Sequence, residues 1–236
     1  MSSTLQKFKS LQRRCLEISA KHGLAHIPSA LSMLKYVWLV SKHINLAEWN
    51  IVLGKPFGSG AYYAAWEDVF GWVPKEYHEG LNARNCPLVA FGEQTIGNAL
   101  GVAIGMALTG SKKVWCNLSD ASLQMGQTLE AIVFMLHHAN ELGNLFVTVD
   151  CNDFQVLGKV SDILSIDPVI EMLKQSKLNV LDIKNPKFED FKDFDSKNTV
   201  PTVVIVRTVK GEGVKEFEQD PVKFHYKTIL NHFKVP

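Results

Sequence analysis

Short runs of branched and aromatic residues, separated by longer amphipathic segments, are the sequence feature that most limits the fold. The clearest runs, interpreted as β-strands, are 113–118 (KVWCNL), 145–150 (LFVTVD), 178–183 (LNVLDI) and 201–208 (PTVVIVRT). Helices are predicted between them, over 124–140, 168–175 and 188–194. Strands that alternate with helices favour parallel pairing through helical crossovers. The sequence therefore predicts a doubly wound α/β fold, a mostly parallel sheet with helices on both faces.

The segment before these strands, residues 1–45, is predicted to be helical because apolar residues recur there at three- and four-residue spacing. Hydrophobic segments recur from end to end without a repeat or a low-complexity linker, so residues 1–236 are interpreted as one domain. A further helix is predicted over 95–109, with Gly97, Gly101 and Gly105 on one face. Small residues at this spacing let helices approach closely, so we expect this face to be tightly packed.

The net charge limits the kinds of partner that the protein can attract, and the cysteine content indicates the compartment in which it works. The 25 Lys and Arg against 24 Asp and Glu give a formal net charge of +1, which provides no general attraction to nucleic acid or an anionic membrane. Charges interrupt each N-terminal apolar run, so no export signal is visible, and no stretch approaches the ~20 apolar residues of a membrane span. The widely spaced Cys15, Cys86, Cys116 and Cys151 are typical of reduced thiols. We expect a cytoplasmic protein.

Polar residues follow two of the predicted strands at the edge where ligands of parallel sheets bind. Asp120 lies just after strand 113–118, and Asn152 lies just after strand 145–150. If these strands are neighbours, a carboxylate and an amide oxygen share one crevice as donors suited to Mg²⁺. The small Ser119 and Ala121 would let backbone N–H groups approach a phosphate. An aspartate here is more often a cap or turn residue, so a magnesium diphosphate site and a structural turn both remain open.

A series of motifs resembles, in the same order, the N-terminal cofactor-diphosphate-binding domain of the transketolase family. The matching segments are 26–32 (HIPSALS), 53–64 (LGKPFGSGAYYA), 95–108 (TIGNALGVAIGMAL), 120–131 (DASLQMGQTLEA), 149–152 (VDCN), 208–214 (TVKGEGV) and 224–225 (FH). Together they extend along nearly the whole chain. The resemblance implies the thiamine diphosphate-binding fold and a magnesium-dependent transferase that moves a two-carbon ketol unit between sugar-like substrates.

The same resemblance implies which residues form the site. The implied metal ligands are Asp120, Asn152 and the backbone carbonyl of Phe154. The implied cofactor-binding residues are these three together with Ser119, Ala121 and Ile96, the last one near the aminopyrimidine. His225 matches a histidine near the diphosphate, and His26 matches one that reaches the reacting oxygens of the substrate, so both are candidate catalytic residues. Glu130 matches a glutamate of a polar network at the subunit interface.

Several positions depart from the family pattern. Ser119 and Ala121 stand where the family has glycines, and each adds a Cβ close to the expected phosphate. Met125 replaces an acidic residue, Phe57 replaces a histidine and Gln94 replaces a glycine. These changes predict either an unusual substrate, a sugar or a 2-oxo acid, or a site that has lost its activity.

The resemblance also implies a partner. In this family a glutamate that activates the cofactor belongs to a second, pyrimidine-binding domain, and this sequence contains no match to that domain. We therefore expect half of a split enzyme, active with a separate chain that holds the pyrimidine-binding and C-terminal sections, with two copies of each chain. A catalytically silent scaffold or regulatory partner is the alternative. An unrelated nucleotide-binding α/β protein has little support, because the sequence has neither G-x-G-x-x-G after a strand nor G-x-x-x-x-G-K-[ST].

Overall fold

The computed structural model describes residues 3–196 and 198–228, so residues 1 and 2 of the predicted N-terminal helical segment lie outside it. The strands are β1 (Trp49–Leu53), β2 (Phe91–Gly92), β3 (Lys113–Ser119), β4 (Leu145–Cys151), β5 (Asn179–Lys184) and β6 (Thr202–Arg207). The helices are α1 (Ser3–His22), α2 (Ile27–Ser41), α3 (Ser59–Phe70), α4 (Ala99–Thr109), α5 (Gly126–His137), α6 (Val160–Ile163), α7 (Asp167–Lys174) and α8 (Lys215–Gln219). Short 3₁₀ turns cover Asp120–Gln124, Ala139–Glu141 and Phe188–Asp195.

The six strands form one sheet in the order β2-β1-β3-β4-β6-β5, and every pair is parallel. Successive side chains of β3 enter opposite layers: Trp115 packs with α1, α2 and α3, whereas Val114 and Cys116 pack with α4, α5 and α7. Burial on both faces explains why β3 and β4 read as almost continuous apolar runs. The predicted doubly wound α/β fold is therefore confirmed.

The strand order places a topological switch at the carboxyl edge of the sheet. From β1 the chain continues outward to β2, and then returns to place β3 on the other side of β1. The loops after β1 and β3 consequently diverge and leave a crevice, which is the usual binding position in open parallel sheets. Strands β3 and β4 are neighbours, with Ser119 opposite Asp150, so the ends that carry Asp120 and Asn152 meet at this crevice.

Two local features differ from the sequence prediction. Helix α4 begins at Ala99, not at residue 95, because Gly97 has φ +131° and the buried carboxylate of Glu93 accepts the N–H groups of Gly97, Asn98 and Ala99. The glycine face of α4 is also not packed within the described chain. A Cβ built at Gly101 or Gly105 meets no atom within 4 Å, so that face lies open.

None of the helices in the described ranges combines the length and apolar composition that a bilayer crossing requires.

Burial of the thiols leads to a chemical prediction. All four cysteines are free and buried, and burial raises the pKa of Cys15 to about 12 and that of Cys86 to about 11. Because the thiolate is the reactive form, we expect the native chain to react only slowly with Ellman's reagent at neutral pH. The urea-unfolded chain should release four equivalents rapidly. Fast reaction of the native chain would contradict the buried positions.

Candidate active site

A cavity of about 360 Å³ opens at the carboxyl edge of the sheet, beside the ends of β1, β3 and β4. It is the place where the predicted site residues meet. All of them line it: His26, Ile96, Ser119, Asp120, Ala121, Asn152, Phe154 and His225. Phe57 and Gln94, which stand where the resembling family has other residues, line the same cavity. The structure thus brings together residues that are up to 199 positions apart in the sequence.

The Asp120 carboxylate is fixed by backbone groups from two loops. Its Oδ1 accepts the N–H of Ala121 at 2.8 Å, and its Oδ2 accepts the N–H groups of Asn152 at 3.0 Å and Asp153 at 2.9 Å. The side chain is 2% exposed, and burial, opposed by Lys55, raises the pKa of Asp120 to about 6. A buried carboxylate with a raised pKa is one that a bound cation would stabilise in its charged form.

The Asn152 amide is oriented by its neighbours. Its Nδ2 donates to Asp150 Oδ2 at 2.8 Å and to Ser32 Oγ at 3.3 Å. Its Oδ1 therefore points the other way, where it accepts the N–H of Phe154 at 3.1 Å and keeps a second lone pair. The network thus engages the amide nitrogen and leaves the oxygen available, and oxygen is the ligand that Mg²⁺ requires.

The third predicted ligand has a different environment. The carbonyl oxygen of Phe154 accepts a hydrogen bond from Lys210 Nζ at 2.9 Å, which leaves one lone pair for a cation. In the part of the chain that the structure describes, no three His, Cys, Asp or Glu side chains cluster as metal ligands. One carboxylate and neutral oxygens suit Mg²⁺, which keeps waters and phosphate oxygens in its shell. The residues present therefore fit a magnesium diphosphate, with Asp120 and Asn152 as the clearest protein ligands.

Among the described residues, Lys55 and Lys210 are the two lysines that line the cavity. Lys55 follows β1 and pairs with Asp150 at the end of β4; their side chains are 10% and 0% exposed. Lys210 is buried, and burial together with Lys55 lowers its pKa to about 8, which leaves it mostly charged at pH 7. The backbone N–H groups of Ala121 and Ser122 are already engaged by Asp120 and Ser119. The predicted backbone donors are therefore not free, and the lysines are the groups that an anion would meet.

The two histidines form one wall of the cavity. His26 caps α2 with φ 53°, ahead of Pro28 in the first helical turn, and its N–H donates to the carbonyl of His225 at 3.1 Å. Its ring contacts the carboxylate of Glu79. The ring of His225 lies 3.0 Å from Lys210 through Nδ1, and burial, with the charge of Lys210, lowers the pKa of His225 to about 3. His225 is therefore neutral at pH 7.

Sequence reasoning missed several charged residues of this region, among them Lys55, Lys210, Glu93 and Glu79. The two lysines stand inside the matched segments 53–64 and 208–214, so their position after strand ends was a usable signal. Glu79 lies in an irregular stretch without a motif, and tertiary contacts alone bring it to His26. Glu130 is not in the cavity; it lines an open apolar groove between α4 and α5.

Curated sequences similar to this chain include transketolases. No protein-family model matches the chain. It is 27% identical over 194 residues to one subunit of the apulose-4-phosphate transketolase of Actinobacillus succinogenes, covering 75% of this chain and 69% of that one. It is also 27% identical over 197 residues to the transketolase of Pongo abelii, covering 76% of this chain and 31% of that enzyme. Over about three quarters of its length the chain is thus similar to transketolases.

Solved transketolases share the fold. The enzyme of Campylobacter jejuni superimposes with a TM-score of 0.74 at 19% identity, over 97% of this chain and 41% of that one. The enzyme of Leishmania mexicana superimposes with a TM-score of 0.72 at 16% identity, over 92% of this chain and 38% of that one. The shared part is the N-terminal section of those transketolases. This chain thus matches less than half the length of the solved transketolases, but 69% of the Actinobacillus subunit.

Proposed function

We propose that this chain is the diphosphate- and magnesium-binding subunit of a two-chain, thiamine diphosphate-dependent transferase of the transketolase type. The observation that carries the proposal is the Asp120–Asn152 pair: the backbone N–H of Asn152 donates to the buried carboxylate, and the side-chain amide turns its nitrogen to Asp150, which leaves its oxygen available as a ligand. Transketolase relatives, one of them named as a separate subunit, support the reaction class and the division into two chains. In this proposal residues 1–236 are one domain of a cytoplasmic enzyme of carbohydrate metabolism.

Each group at the cavity has a role in this proposal. Asp120 and Asn152 hold Mg²⁺, with Phe154 contributing its carbonyl, while Lys55 and Lys210 balance the diphosphate charge. The apolar Ile96 packs against the aminopyrimidine, and Ser119 and Ala121 border the diphosphate. The chemistry that thiamine diphosphate supplies when bound is a nucleophilic carbon for breaking and forming bonds next to a carbonyl.

The substrate side of the cavity is formed by His26, His225 and Phe57. The two histidines orient the oxygens of a ketol substrate and move protons to and from them. The name of the Actinobacillus relative contains apulose-4-phosphate, which favours a sugar phosphate as donor. Phe57 stands where the resembling family has a histidine, so one polar contact to the substrate is absent and a modified sugar or a 2-oxo acid is the competing class.

Isothermal titration calorimetry tests this function. The chain is titrated with thiamine diphosphate in the presence and absence of Mg²⁺, first alone and then with a copurified pyrimidine-binding chain. We expect saturable binding that needs Mg²⁺, and ketol transfer with the partner present. Binding of a nucleotide in place of thiamine diphosphate would contradict the proposal.

The open face of α4 is the surface on which we expect the partner to dock. Gly101, Ile104, Gly105 and Leu108 of α4 form an apolar groove with Phe134 of α5, and Glu130 lies on its edge. Leu108 is 39% exposed and Phe134 is 43% exposed, so the described chain does not cover this face itself. We assign the groove to the partner subunit, in an assembly with two copies of each chain.

Replacing Gly105 with leucine distinguishes an effect on partner docking from an effect on folding. A Cβ at this position meets nothing within 4 Å, and leucine has the higher helix propensity, so we expect unchanged or slightly raised stability, by up to about 1 kcal/mol. Association with the partner, measured by analytical ultracentrifugation, should be lost because the added side chain fills the groove. Lys112→Leu, an exposed position just beyond α4, is the control. Undiminished association of Gly105→Leu would place the partner elsewhere.

The replaced residues Met125, Phe57 and Gln94 favour a second candidate, a silent scaffold of the same assembly. The two candidate functions predict different results in the calorimetric titrations. A scaffold binds the partner with the same affinity whether or not thiamine diphosphate and Mg²⁺ are present, and it gives no cofactor heat. Cofactor binding that Mg²⁺ strengthens supports the enzyme.

A further inference from the structure

His26 and His225 are held as one unit. Their rings lie edge to face with centroids 4.9 Å apart, and the ring of Tyr226 contacts both. The backbone hydrogen bond from His26 N–H to the His225 carbonyl joins the two segments. Both residues line the cavity, so a ligand bound there can meet both rings.

The Nδ1 atom of His26 faces an anion. It contacts Oε1 of Glu79, whose Oε2 accepts the N–H of Ala25 at 3.2 Å. Burial opposes ionisation of Glu79, but the hydrogen bonds from His26 and Ala25 outweigh it and lower the carboxyl pKa. An ionised carboxylate only accepts hydrogen bonds, so Nδ1 of His26 carries a proton. In the neutral ring, Nε2 of His26 is then an acceptor.

The Nδ1 atom of His225 faces a cation. It lies 3.0 Å from Nζ of Lys210, which also donates to the carbonyl of Phe154. An ammonium group only donates hydrogen bonds, so Nδ1 of His225 is the acceptor. In the neutral ring the proton is then on Nε2, which can donate a hydrogen bond to a ligand. The two rings are thus oppositely protonated although they touch.

We propose that Glu79 and Lys210 are positioning residues that hold His26 and His225 in opposite tautomers, so that the cavity offers one Nε2 acceptor and one Nε2–H donor. Such a pair is complementary to an α-hydroxy carbonyl group. The hydroxyl donates to His26, and the carbonyl oxygen accepts from His225. When His26 takes the hydroxyl proton, the O–H electron pair stays on the substrate oxygen, and the imidazolium forms beside the Glu79 carboxylate. This catalytic use rests on the proposed function. The assignment of the two tautomers does not depend on it.

Nitrogen-15 NMR of the full chain, labelled at histidine and free of cofactor and partner, tests the assignment. Spectra are recorded at about pH 7.5, above the ordinary histidine pKa of about 6.5. The nitrogen without a proton resonates far downfield of the protonated one. We expect that downfield signal from Nε2 of His26 and from Nδ1 of His225, assigned by its loss in His26→Gln and His225→Gln. The same tautomer in both rings would overturn the proposal.

Paired variants separate a positioning role from a general structural one. Lys210→Arg keeps a group that only donates hydrogen bonds, so the tautomer of His225 should persist. Glu79→Leu and Lys210→Met remove the acceptor and the donor, and each histidine should relax to a mixture of tautomers. Glu48→Leu and Lys215→Met, at exposed positions, are the matched controls. Unchanged histidine signals in both Glu79→Leu and Lys210→Met would contradict the roles. A chain with these tautomers that binds no thiamine diphosphate would refute only the proposed function.

Discussion

Replacing Asp120 with asparagine is expected to abolish magnesium-dependent binding of thiamine diphosphate. The substitution removes the one buried carboxylate among the candidate ligands and leaves an amide among three backbone donors. Loss of groups that merely support a ligand costs about 10–100-fold in metal affinity, so loss of the ligand itself should cost at least about 100-fold. Calorimetry with and without Mg²⁺ measures the affinity for thiamine diphosphate. If the chain alone binds weakly, the titration is made on its complex with the partner.

Asp153→Asn is the matched control for this variant. Asp153 is the exposed neighbour of Asn152 and has φ 65°, a conformation that asparagine tolerates. The control makes the same chemical change at an exposed position near the proposed ligands, and cofactor affinity should stay within about 2-fold of wild type, since surface changes cost under about 0.5 kcal/mol. Equal losses in the two variants would show that general negative charge, not ligation, is responsible.

Replacing Lys55 with methionine is expected to cause the largest loss of folding stability. Lys55 pairs with Asp150, and both side chains are buried. Removing one partner of a buried ion pair typically costs about 3–5 kcal/mol; we expect about 3 kcal/mol, because Ser32, Asn152 and Thr208 still donate to the carboxylate. Urea unfolding monitored by tryptophan fluorescence measures the free energy of unfolding.

Two further variants show whether the unpaired charge is the cause. Lys7→Met breaks an exposed pair with Asp68, and its cost should stay below about 1 kcal/mol. Adding Asp150→Asn to Lys55→Met removes the stranded charge, so part of the lost stability should return. If Lys55→Met is no more costly than Lys7→Met, Lys55 does not have the buried role described here.

The sequence predicted the centre of the sheet better than its edge and its outer helices. Strands β3 and β4 are buried on both faces, and their continuous apolar runs identify them almost to the residue. Strand β2 has only two residues, too few for any periodic signal. Helix α3 was missed because its residues from Ser59 to Trp66 are buried all round, which removes the apolar and polar contrast that marks a helix.

The site could be predicted as far as its motifs extend. Asp120 and Asn152 follow recognisable strands, so their meeting required only that β3 and β4 be neighbours. The orientation of the Asn152 amide depends on local hydrogen bonds with Asp150 and Phe154 and on one with Ser32 in α2, and no local pattern encodes the contact with Ser32, which is more than a hundred residues away. The same holds for Glu79, whose position beside His26 is set by the packing of an irregular segment. Hydrogen-bond direction, which decides the chemistry, thus comes in part from tertiary structure.

A crystal structure of the chain with thiamine diphosphate and Mn²⁺ in place of Mg²⁺ tests the central claim most directly. Anomalous scattering locates the metal without assumptions about its ligands. We expect one peak within bonding distance of the Asp120 carboxylate and of Oδ1 of Asn152, with the diphosphate facing Lys55 and Lys210. A metal bound elsewhere, or an Asn152 amide that presents its nitrogen to the cavity, would contradict the account.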